Sequence, residues 1–180
     1  MKFGFGRRMS EILFGAVAIA LMLSPVAHAE KYASIVVDAD TNEVLHARFA
    51  DEPRYPASLT KAMTLYMVFD ALKSGELTLS EDMPVSRAAA SQPPSNLRLT
   101  PGSTISVRDA IRALVTKSAN DVAVVIAERL GVTESRFATL MTAKAHALGM
   151  SRTTFRNASG LPDARQVSTA RDMAILAERL

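Results

Sequence analysis

The chain of 180 residues contains no cysteine and no tryptophan, and aromatic residues make up only 6% of it. The absence of cysteine excludes disulfide bonds, thiol catalysis and cysteine metal sites, so packing must stabilise the fold. The few histidines form neither an H-x-x-x-H nor an H-E-x-x-H pattern, and no metal is expected. Glycine-rich nucleotide-binding motifs are also absent, and we expect no cofactor.

Residues 1–29 have the three-part pattern of a secretory signal peptide. Basic residues precede the apolar run 12–23, and Ala27-His28-Ala29 matches the A-x-A cleavage pattern. The run is shorter than the roughly 20 residues that a membrane-spanning helix needs, although an uncleaved anchor is the alternative. Cleavage before Glu30 removes Lys2, Arg7, Arg8 and Glu11 and lowers the net charge from +3 to +1. No basic stripe for nucleic acid remains. We expect export to the periplasm or the outer face of the cytoplasmic membrane.

Residues 30–180 have the length of one domain, and their pattern predicts an α+β fold. Two β-branched runs around Asp40-Thr41-Asn42 predict a β-hairpin over 33–49. The stretch 77–106 is rich in Pro, Ser and Thr and predicts a surface segment with little regular structure. The Asn-Ala-Ser sequence at 157–159 matches a glycosylation sequon, but we interpret it as a turn. Apolar periodicity predicts helices over 57–73, 107–116 and 121–130. Thr133 is the predicted N-cap of another helix, which ends at Leu148, and Ser168 or Thr169 is the predicted N-cap of a last helix.

The stretch YPASLTKAMTLY places Ser58 and Lys61 in an otherwise apolar segment. A helix that is apolar on every face is a buried one, so Lys61 must either reach solvent along its stem or have a paired or neutral amine. Side chains three residues apart share a helix face, so the two can hydrogen-bond. Burial and the positive end of the helix dipole both lower a lysine pKa, which favours a serine nucleophile with a lysine base. The alternative is a solvent-reaching lysine beside an N-terminal serine.

A second candidate motif is Ser118-Ala119-Asn120, in the short break between two predicted helices. Residues at such a break can point their side chains into a cleft. The alternative is that Asn120 only caps the helix that begins at Asp121, and that Asp121 favours the N-terminus of this helix. S-x-x-K followed by S-x-N is the order of motifs expected for acyl transfer on an active-site serine.

These motifs and their surroundings resemble the serine D-alanyl-D-alanine carboxypeptidases, the low-molecular-weight penicillin-binding proteins of the S11 peptidase family. The resemblance implies a β-lactamase/transpeptidase-like fold, with helices on both sides of a five-stranded antiparallel sheet. It is carried by YASIVVDADTNEVLHARFADEPRYPASLTKAMTLYMVFDAL, PPSNLRLTPG, LVTKSANDVAVVIAERL and FRNASGLPDARQVSTARDMAILAERL.

The resemblance also implies a role for each matched residue. Ser58 would attack the carbonyl carbon of the penultimate D-alanine in a peptidoglycan stem peptide ending in D-Ala-D-Ala, and Lys61 would take the serine proton. Ser118 would relay a proton to the leaving amine, whereas Asn120 would hydrogen-bond the substrate backbone and the lysine. β-Lactam antibiotics such as penicillins, which mimic the D-Ala-D-Ala terminus, would acylate Ser58.

The family's third motif, Lys-Thr-Gly or a close variant, does not occur in the 180 residues. In the family its strand binds the substrate carboxylate and supplies an oxyanion-hole N–H, and losing one such donor lowers a rate about 100- to 1,000-fold. The sequence pattern supplies one hairpin and then helices. We therefore expect residues 30–180 to be a partial carboxypeptidase catalytic domain with an incomplete sheet.

Two other functions remain open at this point. A non-catalytic penicillin- or peptidoglycan-binding remnant would keep the serine motif without turnover. A class A β-lactamase pairs S-x-x-K with S-D-N and uses a glutamate for deacylation, whereas Ala119 occupies the middle position here. Acylation of Ser58 without release of D-alanine would distinguish the binding protein from the carboxypeptidase.

Overall fold

The predicted N-terminal hairpin is present in the computed structural model, which describes residues 32–180. Strand β1 (Ser34–Val37) pairs antiparallel with β2 (Val44–Arg48), and the polar turn lies between them. The carboxylate of Asp38 closes this turn by accepting hydrogen bonds from the backbone N–H groups of Asp40 and Thr41. The signal peptide predicted at 1–29 lies outside the described residues.

The helix predicted at 57–73 begins as a 3-10 turn, Ala57–Leu59, and continues as α1, Thr60–Ser74. Gly75 ends α1 with a left-handed backbone (φ 78°), which glycine adopts without steric penalty. Helix α1 is less completely buried than the sequence predicts. Met63 and Val68 are buried, but the Phe69 side chain remains 41% exposed. One side of α1 packs on the other helices, and the opposite side is only partly covered.

Residues 77–106 contain more regular structure than the sequence predicts. Strand β3 (Asp82–Pro84) pairs antiparallel with β4 (Thr104–Ser106), and the short helix α2 (Arg87–Ala90) lies between them in sequence. Met83 and Ile105 are opposite each other in this pairing, and both are buried in the core. The prediction of little regular structure is therefore wrong at β3 and β4, where one apolar residue on each strand docks this sheet on the core, whereas most of residues 77–106 are exposed or partly exposed.

Four longer helices follow within the described residues: α3 (Val107–Lys117), α4 (Asn120–Gly131), α5 (Glu134–Leu148) and α6 (Ala170–Arg179). The predicted N-cap of α5 is confirmed, since the Thr133 hydroxyl accepts from the Arg136 N–H. Of the two caps considered for α6, Thr169 is the one that accepts, from the Asp172 N–H. Side-chain caps satisfy N–H groups that have no partner inside the helix, so they help to fix where α5 and α6 begin.

Helix α4 is the centre of the core. Its residues 120–127 are all buried, and it contacts α1, α2, α3 and α5. The fold class is α+β, as predicted, but residues 32–180 form two separate two-stranded sheets instead of a single hairpin.

Beside the first sheet, Ile35 and Val37 line an apolar groove of about 510 Å³ together with Leu59, Met173 and Ala177. Among the described residues, no helix is long and apolar enough to cross a membrane.

Replacing Phe137 by alanine should destabilise the chain strongly. The Phe137 side chain on α5 is fully buried and packs closely on Gly131 of α4. A Cβ atom added at position 131 would lie only 2.6 Å from the Phe137 Cβ. Removing a buried phenylalanine ring typically lowers the free energy of unfolding by about 3–5 kcal/mol. Val115 on α3 is 66% exposed, so Val115→Ala should change it by less than about 0.5 kcal/mol. Urea denaturation followed by circular dichroism measures both, and a loss below about 1 kcal/mol in Phe137→Ala would contradict the α4–α5 packing.

Candidate active site

Ser58 is the central residue of the 3-10 turn that precedes α1, and it is exposed to solvent. The residue before it, Ala57, has a left-handed backbone conformation with φ 48°. Residues other than glycine adopt this conformation infrequently, and strained backbone of this kind persists where the surrounding structure holds it. The turn presents Ser58 at the N-terminal end of a helix, where free N–H groups and the helix dipole favour negative charge.

Lys61 is buried, as the sequence predicts, with an exposed fraction of 3%. Its Nζ atom donates a 2.6 Å hydrogen bond to the backbone carbonyl of Ser159. Burial disfavours the charged ammonium and lowers the pKa of Lys61 from 10.5 to about 8. Within residues 32–180 no hydrogen bond joins Ser58 to Lys61, so the carbonyl of Ser159 is the group that holds the amine.

The second motif lies at the junction of α3 and α4. Ser118 ends α3 in a left-handed conformation (φ 54°) and is half-buried. Ala119 is the N-cap of α4 and provides no side-chain cap, so the alternative that Asn120 only caps α4 is wrong. Asn120 is instead the first residue of α4, 6% exposed, and its Nδ2 donates to the Pro93 carbonyl over 2.9 Å. Its side-chain amide contacts the 93–95 loop and, among the described residues, forms no hydrogen bond to Lys61.

Asp121 fixes the neighbouring loop to the start of α4. Its carboxylate is fully buried and accepts hydrogen bonds from the N–H groups of Leu97, Leu99 and Val122 at 2.9–3.2 Å. The sequence predicts the contribution of Asp121 to the helix N-terminus but not its role in holding the loop. Together with the Asn120 contacts, these bonds attach the PPSNLRL segment to the second motif.

The loop at 156–160 is the part of the site that sequence reasoning missed. It contacts α1 directly: the Ser159 carbonyl accepts from Lys61, and the Ala158 carbonyl accepts from the Thr64 hydroxyl at 2.7 Å. The interpretation of Asn157-Ala158-Ser159 as a turn is confirmed, because the Asn157 Oδ1 accepts from the N–H groups of Ser159 and Gly160. The available signal was the position of this segment within the family-like FRNASGLP sequence.

Gly160 lies against the backbone of the turn that carries Ser58. A Cβ atom at position 160 would be 1.8 Å from the Ala57 carbonyl oxygen and 3.0 Å from the Ser58 nitrogen. Only glycine fits this approach. Beside the contact is a pocket of about 340 Å³ lined by Tyr55, Pro56, Leu161 and Pro162, among others. Within residues 32–180, no three His, Asp or Glu side chains come together to hold a metal ion.

The α+β architecture, with the S-x-x-K segment at the start of α1, belongs to the β-lactamase/transpeptidase class of folds. Within that class, the sequence profile of the D-alanyl-D-alanine carboxypeptidase family, peptidase S11, matches residues 22–180. The chain belongs to this family.

Individual relatives agree with the family match. The chain is 36% identical over 157 residues to the D-alanyl-D-alanine carboxypeptidase DacF of Bacillus subtilis, covering 87% of this chain and 40% of that protein. The crystal structure of the carboxypeptidase DacD from Francisella tularensis superposes with a TM-score of 0.79 at 38% identity, covering 81% of this chain and 35% of that one. Penicillin-binding protein D2 from Listeria monocytogenes in its cefotaxime-bound form gives a TM-score of 0.71 at 36% identity, with coverages of 82% and 60%. The chain thus spans about 40% of the length of the curated relatives that it matches.

Gly160→Ala should disrupt the contact between the 156–160 loop and the turn at Ala57. The new Cβ would overlap the Ala57 carbonyl, so the loop must move away from α1. Gly102→Ala is the matched control, because Gly102 also has a positive φ (83° against 88°) but no atom within 4 Å of its ideal Cβ. We expect Gly160→Ala to lose about 1–3 kcal/mol more stability than the control. Equal losses in the free energy of unfolding, measured by urea denaturation, would show that the close approach at Gly160 does not affect stability.

The contribution of Lys61 to the stability of the chain should rise between about pH 8 and 10.5. Because the folded pKa of Lys61 lies below its ordinary value of 10.5, the unfolded chain binds more protons than the folded chain in this interval. Relative to Lys61→Met, the free energy of unfolding of the wild-type chain should therefore increase by about 1–3 kcal/mol over this pH interval, since one pKa unit corresponds to about 1.4 kcal/mol. Urea denaturation at a series of pH values measures the difference. A difference that stays constant would contradict a lowered pKa.

Proposed function

We propose that this chain carries the nucleophile and the base of a serine-type D-Ala-D-Ala carboxypeptidase, which acts on peptidoglycan stem peptides through an acyl-enzyme on Ser58. The observation that carries the proposal is the combination, within one helical turn, of an exposed serine and a buried lysine whose pKa is about 8. The names of the relatives support the same substrate class.

The chemistry follows from this pair. The neutral amine of Lys61 accepts the Ser58 hydroxyl proton while Oγ forms a bond to the carbonyl carbon of the penultimate D-alanine. The resulting oxyanion lies near the positive end of α1, and its collapse breaks the bond to the terminal D-alanine. Ser118 relays this proton from the Lys61 ammonium to the nitrogen of the departing D-alanine. Water then hydrolyses the ester and regenerates the Ser58 hydroxyl.

Asn120 is proposed to bind the substrate backbone. Its Nδ2 atom is already committed to the Pro93 carbonyl, so the orientation of its amide is fixed. Within residues 32–180 its Oδ1 atom accepts no hydrogen bond, and an amide oxygen can accept from a peptide N–H. A substrate strand beside α4 would provide such a donor.

β-Lactam antibiotics are proposed to acylate the same serine. The Listeria relative was solved with cefotaxime, which supports β-lactam binding as a property of this fold and site. The reaction would occur outside the cytoplasm, since the basic, apolar and small-residue pattern of residues 1–29 supports export to the periplasm or the outer face of the cytoplasmic membrane.

Incubation of the full chain with a fluorescent penicillin should label Ser58. Mass spectrometry of the digested adduct locates the label, which Ser58→Ala should lack and the exposed-serine control Ser80→Ala should retain. Because general-base catalysis contributes about 100- to 10,000-fold, Lys61→Met should slow labelling by at least about 100-fold. Circular dichroism verifies that each variant is folded. A folded, unlabelled wild-type chain would contradict the proposal.

Turnover separates the carboxypeptidase from the penicillin-binding alternative. The same preparation is incubated with a tripeptide ending in D-Ala-D-Ala, and free D-alanine is measured. Release that depends on Ser58 supports the carboxypeptidase. Labelling by penicillin without any release of D-alanine would identify a binding protein.

A further inference from the structure

The 156–160 loop is held by three side chains that together bind every backbone N–H along it. Gln166 Oε1 accepts from the N–H groups of Arg156 and Asn157 at 2.9 and 3.1 Å. Glu134 Oε1 accepts from the N–H of Ala158 at 3.0 Å. Asn157 Oδ1 accepts from Ser159 and Gly160 at 3.3 and 2.8 Å. Five consecutive amides therefore have side-chain partners, although the segment is neither helix nor strand.

Asn157 and Gln166 also hold each other. Gln166 is 2% exposed, and its Nε2 donates to the Asn157 Oδ1 and to the Leu161 carbonyl at 3.3 and 3.4 Å. The Asn157 Nδ2 donates to the same Leu161 carbonyl at 2.8 Å. The two amide side chains thus share their partners, and replacing one leaves polar groups of the other without a partner.

While side chains bind the N–H groups of the loop, two of its successive carbonyls bind α1. The Ala158 carbonyl accepts from Thr64, and the Ser159 carbonyl accepts from Lys61. Thr64 and Lys61 are three residues apart and share one face of the helix. The loop therefore docks on the helix at the lysine that the proposed reaction needs as a base.

We propose that Asn157 and Gln166 are positioning residues for Lys61: by holding the 156–160 loop they place the Ser159 carbonyl where it fixes the Lys61 amine inside the site. The inference rests on the proposed function for what Lys61 does there, but not for how Lys61 is held. A lysine side chain is long and has many rotamers, so an amine without this anchor samples other positions, including those that reach solvent.

The ionisation of Lys61 reports this placement. Burial is the cause of its lowered pKa, so an amine that moves toward water should titrate closer to 10.5. Glu134 is the acidic side chain bonded to the loop, and it stays in place in the variants below. Asp163 lies further along the chain and is paired with Arg165. The substitutions at Asn157, Gln166 and Thr142 add or remove no charge.

The test compares Asn157→Ala and Gln166→Leu with Thr142→Val in the full chain. Thr142 Oγ1 accepts from the Phe155 N–H at 2.9 Å, so Thr142→Val removes a hydrogen bond to the same segment without affecting residues 156–160. Lysines are labelled with ¹³C at Cε and titrated by NMR, and Lys61→Met identifies the signal. We expect the pKa of Lys61 to rise by about one unit or more in the first two variants and to stay near 8 in the control.

Asn157→Ser provides a milder variant. Its hydroxyl can accept from a backbone N–H two residues on, so part of the loop should be restored and the Lys61 pKa should lie between those of wild type and Asn157→Ala. This variant decides the question if Asn157→Ala does not fold. A Lys61 pKa that stays near 8 in the folded Asn157 and Gln166 variants would overturn the proposal, as would an equal shift in Thr142→Val.

The rate of penicillin labelling at Ser58 supplies a second readout. In Asn157→Ala and Gln166→Leu, the pH at half-maximal labelling should move upward with the Lys61 pKa, a change that a purely structural loss of folded protein would not produce. If the wild-type chain takes no label, the proposed function fails in this chain, and the NMR titration still determines whether Asn157 and Gln166 position Lys61.

Discussion

The site depends on one hydrogen bond, from the buried amine of Lys61 to the carbonyl of Ser159, which lies 98 residues further along the chain. A buried amine without a partner is strongly destabilising, so this bond is what allows a lysine to occupy the first turn of a core helix. It also connects the turn that carries Ser58 to the 156–160 loop. Burial in turn lowers the pKa of Lys61 to about 8, so a larger fraction of the amine is neutral near pH 7 than for an ordinary lysine.

Two loops beside the site are organised in the same way, by buried or half-buried side chains that bind their backbone N–H groups. Asp121 at the start of α4 holds the loop at 97–99, and Asn157, Gln166 and Glu134 hold the loop at 156–160. The loops lack the regular hydrogen bonds of helices and strands, so these side chains supply the missing partners. Helix α4 and its neighbours form the rigid scaffold on which both loops are placed.

Much of the fold could be predicted from the sequence because its signals are local. Helices α1, α3, α4, α5 and α6 and the hairpin β1–β2 follow from apolar periodicity, turn residues and caps such as Thr133 and Thr169. The pairing of β3 with β4 was missed because each strand has three residues and the connecting segment is rich in proline. Its burial depends on Met83 and Ile105 meeting across 22 positions, which no local pattern shows.

In the candidate site, too, the features with local sequence signals could be predicted, and those that depend on long-range contacts could not. Ser58 and Lys61 could be paired from the sequence alone because a helix brings residues three apart onto one face, and the burial of Lys61 follows from the apolar residues around it. Only the tertiary structure decided what holds the amine. Its partner is a backbone carbonyl, a group that every residue carries, and its position depends on long-range packing of α1 against the 156–160 loop. The requirement for glycine at position 160 has the same origin, because the atom that a side chain would meet belongs to Ala57.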